Sequence, residues 1–378
     1  ELLPECAGEL EALRRRLLDQ CATWGYRYVI PPLVEFTDSL LIGLGADLDV
    51  VTCKFTDQMS GRMLGVRADI TPQTARMDAH SLAEDGVTRL CYAGSTLQST
   101  PQSVTNARAP IQLGAELFGS SAIEADSEII GLMLSTFECA GVTRPLTLDI
   151  GHIAIYDALF SDAGLDPELE DQVFDALQRK SAPDIERLSA SLPRREAERL
   201  AQLLALHGSP DVLTFARTAF PDEPAVTAAL DQLDMVLAGV QRAFPDVGVY
   251  VDLTELRGFR YHTGLVFAVY LEGRGSAVAK GGRYDNIGAV FGRDRPATGF
   301  AIDLKALVDD AQRRGTAHVP VIAPQSDDAE LRAAVAALRA VGRTVVMDVA
   351  PGVDLPNAER LVLSDGEWII EGALPRES

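Results

Sequence analysis

Apolar positions near the start of the chain fall three and four residues apart. Leu10, Leu13, Leu17 and Cys21 share one stripe, and Arg14, Arg15 and Arg16 lie off it. That period predicts an amphipathic helix over Glu9–Trp24, ended by Gly25. The run YRYVIPP that follows is rich in β-formers and is stopped by Pro31 and Pro32. Short apolar or alternating runs predict strands at Leu64–Val66, Leu90–Tyr92, Ile111–Phe118 and Leu146–Ile150. Between them the spacing predicts a helix over Ile70–Ala83, with Thr71 as its cap and Pro72 at its first position. A second, longer helix is predicted over Ile123–Ala140, acidic at its start.

The pattern changes after Phe160. Val173, Phe174 and Leu177, then Leu200, Leu203 and Leu204, are spaced as on helices, and prolines at 183, 193, 210 and 221 punctuate them. Strand-like runs return at Val247–Leu253, Leu265–Leu271 and Thr298–Ile302, with a helix from Asp303. The last stretch has its own rhythm: VPVIAP, a helix over Asp328–Val341, then TVVMDV and RLVLSD. The simplest architecture is α+β. A mixed, mainly antiparallel sheet flanked by helices is interrupted by a helical insertion and followed by a small C-terminal α/β domain. The expected boundaries are 1–160 and 245–310 for the two parts of the core, 161–244 for the insertion and 319–378 for the C-terminal domain. No internal repeat or low-complexity tract interrupts this pattern.

The 378 residues suit two to three domains, and a hydrophobic share of 47% excludes wholesale disorder. The longest strongly apolar run, Leu265–Leu271, is too short to cross a bilayer. The N-terminal segment reads as a mature helix rather than a signal peptide, and the absence of Met at position 1 suggests that residues precede it. Five scattered cysteines without a CxxC spacing predict a reduced, cytoplasmic protein. The five histidines are equally dispersed, so neither a metal nor a cofactor is expected. A formal charge of −21 disfavours nucleic acid, which needs clustered Lys and Arg.

Three groups of residues carry candidate chemistry. In VRADITPQTAR, Asp69 and Thr71 lie where a strand meets a helix N-terminus, either as a capping arrangement or as an exposed polar site. In IQLGAELFG, strand alternation puts Gln112 and Glu116 on one face. That face is either a solvated one or a receptor for the ammonium or ring of a small ligand. In ELRGFRYHTGLVF and KGGRYD, Arg257 and Arg283 offer planar donors for a carboxylate or phosphate. Tyr261, His262 and Tyr284 are placed to frame a ring, and Gly281-Gly282 marks a turn or a close backbone approach.

The order and spacing of these groups resemble the catalytic core of histidyl-tRNA synthetase, a class II aminoacyl-tRNA synthetase, from about Leu10 to Leu307. GYRYVIPPLVEF resembles class II motif 1, which lies at the family's dimer interface. RLCYAGSTLQSTPQSVTNARAPIQLGAELFG resembles motif 2, RGFRYHTGLVF and AKGGRYD the histidine-specific signatures, and PATGFAIDLKAL motif 3. On this resemblance Asp69, Thr71, Gln112, Glu116, Arg257 and Tyr261 fall on amino-acid contacts, Asp69 replacing a glutamate. His262 replaces a tyrosine and Arg260 an aspartate. Tyr284 completes the candidate histidine-binding set.

The departures concern ATP. Gln98 and Thr100 stand where the synthetase has an arginine and an acidic residue, and Pro110 where it has the adenine-stacking aromatic. Lys305 and Ala306 replace the motif 3 glutamate and arginine, and Asp303 replaces a glycine. Each lost donor typically costs roughly 3 kcal/mol of transition-state stabilisation. The loop STPQSVTNA is uncharged, and residues 319–378 hold ten acidic against five basic residues, unlike an anticodon-binding domain. A histidine pocket without adenylation chemistry resembles the regulatory-subunit family of ATP phosphoribosyltransferase. That resemblance implies no catalytic residue in this chain. It implies a hetero-octamer with the short-form catalytic subunit at the first step of histidine biosynthesis, activation of that subunit, and feedback inhibition by L-histidine. It also implies self-association as a dimer, without tRNA or a membrane as partner. A divergent histidyl-tRNA synthetase and a synthetase-like histidine-sensing module are the alternatives.

Overall fold

A computed structural model describes residues 1–41, 46–100, 108–255, 261–312, 319–349, 355 and 358–372. The chain forms two compact units, Glu1–Arg313 and Arg314–Ser378. The first is built on a nine-stranded sheet and a three-stranded one. Its strands are β1 (Arg27–Tyr28), β2 (Val34–Phe36), β3 (Cys53–Thr56), β4 (Met63–Val66), β5 (Thr88–Ser95), β6 (Ile111–Phe118), β7 (Leu146–His152), β8 (His207–Gly208), β9 (Gly248–Asp252), β10 (Leu265–Leu271), β11 (Ala279–Arg283) and β12 (Ala297–Asp303). The large sheet runs β1-β5-β6-β12-β11-β10-β7-β9-β8, antiparallel except for the β1–β5 and β7–β9 pairs. The small sheet runs β2-β4-β3.

One face of the large sheet is closed by helices. Pro4–Thr23 buries Leu10, Leu13, Leu17 and Cys21, the stripe seen in the sequence. Ile123–Ala140 buries Ile129, Ile130, Met133 and Phe137. Alternation along β6 sends Leu113, Ala115 and Leu117 into this core. Gln112, Glu116 and Phe118 take the opposite face, where Phe118 packs with Ala75, Leu90 and Tyr284. That second face holds the candidate site.

Residues 161–244 are helical: Pro167–Gln178, Ala182–Ser189, Arg194–Leu204, Val212–Ala219 and Pro224–Ala243, with β8 adding an edge to the sheet. His152 ties the last of these helices to β7. Its Nδ1 accepts from Ala154 N at 3.3 Å, which leaves Nε2 to donate to Gln232 Oε1 at 2.9 Å. The second unit has β13 (Val321–Pro324), β14 (Val345–Asp348), β15 (Glu359–Ser364) and β16 (Glu367–Glu371), in the order β14-β13-β15-β16, with a helix at Ala329–Ala340. Leu331, Val335, Val345 and Leu361 form its core. All five cysteines are free thiols. Among the described residues no helix is long and apolar enough to cross a membrane.

Two local readings of the sequence are corrected. Thr71 does not cap a helix. Ile70 is the cap residue of Thr71–Arg76, which runs on as a π-helical segment at Met77–Leu82, and the Thr71 hydroxyl is used elsewhere. Gly281-Gly282 is not a turn but the middle of β11, paired to Phe267 and Val266 on β10. A Cβ on Gly281 would lie 2.3 Å from Gly299 O and 2.5 Å from the Phe267 ring, so close approach is why glycine stands there.

Candidate functional site

Glu116 is the centre of the site. It lies on β6 between β5 and β12, paired with Leu90 and Gly299. It is 1% exposed. Thr71 Oγ1 and Tyr92 OH each donate to its Oε1 at 2.9 Å, and these two hydroxyls lie 3.1 Å apart. Tyr284 OH donates to Oε2. Burial, outweighing the three hydroxyls, pushes the Glu116 carboxyl up to about 8. The expectation of a solvated strand face therefore fails at Glu116.

Room for this carboxylate comes from glycines. A Cβ on Gly299 would lie 1.5 Å from Glu116 Oε2, and one on Gly114 would lie 2.3 Å from Tyr92 OH. Beside Glu116 sits a second carboxylate. Asp69 Oδ1 accepts from Gln112 Nε2 at 2.9 Å and from Thr71 N at 3.0 Å, and Gln112 Oε1 accepts from Ile70 N at 3.0 Å. Gln112 thus clamps the segment ahead of Thr71–Arg76 to β6, and the carboxyls of Asp69 and Glu116 end up in one neighbourhood.

Aromatic rings complete the wall. Tyr261 stacks on Tyr284 with centroids 5.1 Å apart, and His262 meets Tyr261 edge-on at 5.2 Å. His262 packs against the bare backbone of Gly282. The Tyr261 hydroxyl is buried, and no group among the described residues hydrogen-bonds it. A buried donor left unpaired costs about 1–3 kcal/mol, so this one is poised for a ligand acceptor or donor. Burial raises the Tyr92, Tyr261 and Tyr284 phenols, which stay protonated donors.

Seven of the candidate residues, Asp69, Thr71, Gln112, Glu116, Tyr261, His262 and Tyr284, are described and belong to this one neighbourhood. Arg257 lies outside the described residues, as does Arg260. Arg283 is a correction: its guanidinium is not free for a ligand. Nε and Nη2 hold Asp126 Oδ2 at 3.0 and 2.7 Å, and Nη1 reaches Asp285 Oδ1 and Ser120 O, each at 3.0 Å. Tyr92 is the site residue that the sequence did not reveal. It reads as one apolar position of a strand, and only the β5–β6 register, which sets it opposite Gly114, discloses its role.

The positions that depart from the ATP pattern are occupied by local structure. Asp303 caps Leu304–Leu307 by accepting from Lys305 N at 3.0 Å, and Lys305 Nζ donates to Ala109 O. Gln98 N donates to Arg108 O at 2.8 Å, the Arg108 side-chain Nε donates back to Gln98 O at 3.1 Å, and Gln98 bridges to Thr52. Away from the site, Asp149, Asp252 and Glu255 bring carboxylate oxygens within 4.8 Å of one another. Lys180 Nζ, 2.6 Å from Asp252 Oδ2, already supplies a cation there.

Comparison with known proteins agrees with this fold. The family model described as histidyl-tRNA synthetase matches residues 1–307. The model for the ATP phosphoribosyltransferase subunit HisZ C-terminal domain matches residues 319–371. The fold is that of the class II synthetases, carrying a different C-terminal unit. An ATP phosphoribosyltransferase regulatory subunit from Marinobacter nauticus is 48% identical over 378 residues, covering 98% of this chain and 96% of that one. The chain belongs to the family of ATP phosphoribosyltransferase regulatory subunits, and its role is a regulatory one in histidine biosynthesis. Among solved structures, an ATP phosphoribosyltransferase regulatory subunit/histidyl-tRNA synthetase from Bacillus halodurans superposes with a TM-score of 0.81 at 28% identity, covering 94% of this chain and 92% of that one. An ATP phosphoribosyl transferase (HisG:HisZ) complex from Thermotoga maritima gives a chain with TM-score 0.59 at 21% identity, covering 77% of this chain and 96% of that one; at that identity the likeness concerns the fold.

Proposed function

We propose that this chain carries no catalysis of its own, binds L-histidine at the Glu116 site, and passes that signal to a short-form ATP phosphoribosyltransferase catalytic subunit in the cytoplasm. The chain activates its partner within a hetero-octamer, and histidine binds more tightly to the less active quaternary state. Linkage then makes the partner's activity fall as histidine rises, on the usual scale of about 1–3 kcal/mol of coupling. The observation that carries this reading is the pocket: buried Glu116 and half-buried Asp69 converge with Gln112 and the Tyr261–Tyr284 stack. Such a site suits a small molecule with an ammonium and a ring that donates N–H groups. Gln98 and Ala306 put no cation where triphosphate chemistry would need one, which supports a non-catalytic role. tRNA is not expected as a partner.

Glu116→Ala is expected to weaken histidine binding about 10- to 100-fold, because a hydrogen bond to a charged group is worth about 1.5–3 kcal/mol. Titration calorimetry on the folded variant reads this directly, and unchanged affinity would remove Glu116 from the site. Self-association is proposed through the motif 1 region. Ile30 is 74% exposed there, in company with Tyr28 and Leu33, and Phe55 is exposed on β3 of the small sheet. Light scattering at micromolar concentration should give a dimer in the absence of any partner, and a monomer would count against it.

A further inference from the structure

Among the described residues no Lys or Arg hydrogen-bonds or ion-pairs with Glu116, although it is a nearly fully buried carboxyl. Among the described residues, the titratable groups that face it are Asp69 from the segment ahead of Thr71–Arg76, Tyr92 from β5, Tyr284 just after β11, and Tyr261. On the β12 side it faces Gly299, which brings no charge. Among the described residues, every group that hydrogen-bonds its oxygens is a hydroxyl, of Thr71, Tyr92 or Tyr284. A hydroxyl both donates and accepts, so this ring satisfies Glu116 either as a carboxylate or as a carboxylic acid. It is a receptor built to tolerate both proton states. Asp69, by contrast, accepts at Oδ1 from an amide N–H and a backbone N–H, both of which only donate.

Resting on the histidine reading of this pocket, we propose that the complex holds a single proton between Glu116 and the ligand's ring, so that histidine affinity is coupled to pH through Glu116. The deepest carboxyl, walled by tyrosine rings, takes the imidazole, and the shallower Asp69 takes the ammonium. Burial holds the empty pocket's Glu116 near a pKa of about 8, and a free imidazole titrates near about 6.5. Between those values the separate partners already carry one proton, on Glu116, and binding exchanges none with water. Above about 8 the empty pocket has lost that proton, and binding must take one up. Below about 6.5 the free ring carries its own, and binding must release one.

Titration calorimetry of histidine into the full chain, from pH 5.5 to 9, tests this. The dissociation constant should be flat from about pH 6.5 to 8 and rise about tenfold by pH 9, where two buffers of different ionisation heat should report uptake of close to one proton. Glu116→Gln, which keeps the shape but cannot titrate, should lose this part of the alkaline rise; the ligand's own ammonium is common to both chains. If the variant binds too weakly to titrate, the proton count of the unaltered chain decides. Histidine binding that changes less than twofold between pH 7.5 and 9, with no proton uptake, would overturn the shared proton while leaving histidine as the ligand. No histidine binding at any pH would overturn both.

Discussion

Arg283→Ala should lower the unfolding free energy by about 3–5 kcal/mol, the usual cost of stranding one partner of a buried ion pair. The side chains of Arg283 and Asp126 are 8% and 2% exposed, and the guanidinium also holds Asp285 and the Ser120 carbonyl. Removing it leaves the Asp126 carboxylate at the start of Ile123–Ala140 buried without its cation, with the Thr298 hydroxyl still beside it. Denaturant unfolding reads the loss. Adding Asp126→Ala should cost much less than a second loss of the same size, because the stranded charge goes with it. The opposite outcome, full stability with histidine binding abolished, would return Arg283 to the ligand-gripping role that its sequence context suggested.

Gly299→Ala carries the second large effect. The added methyl would stand 1.5 Å from Glu116 Oε2 and 2.8 Å from Ala115 O, in the middle of a paired strand. Glu116 would have to leave, stranding the hydroxyls of Thr71, Tyr92 and Tyr284. Overpacking and unpaired buried donors each cost about 1–3 kcal/mol, so a stability loss on the order of 3–5 kcal/mol is expected, with histidine binding lost. Gly239→Ala is the control. Nothing lies within 4 Å of its Cβ position in the helix Pro224–Ala243, and the change should stabilise by up to about 1 kcal/mol. Equal stability of the two variants would show that Gly299 does not set the position of Glu116.

Legibility followed side-chain periodicity. Ile111–Phe118, Ile123–Ala140 and Leu265–Leu271 have the bounds that their apolar spacing predicts, because alternation or a long helical period is written in their side chains. β11 was hidden because Gly281 and Gly282 have no side chain to alternate. The β3–β4 hairpin was only half visible, because the burial of β3 is slight from end to end. In the site, Gln112 and Glu116 were legible as one strand face, but the depth of Glu116 was not, since burial depends on what β5, β12 and Thr71–Arg76 bring over it. Tyr92 and Arg283 went astray for the same reason. A tyrosine beside a glycine, or an arginine beside an aspartate, acquires its role only from strand register and a partner far along the chain: Gly114 for Tyr92, and Asp126 for Arg283.

The measurement that bears most directly on a regulatory, histidine-sensing subunit is phosphoribosyl-ATP formation by the cognate short-form catalytic chain, with and without this chain, across a histidine titration. Stimulation by the chain, reversed as histidine rises and needing about 10- to 100-fold more histidine for that reversal in Glu116→Ala, is the predicted result. An unchanged rate together with unchanged inhibition would contradict it.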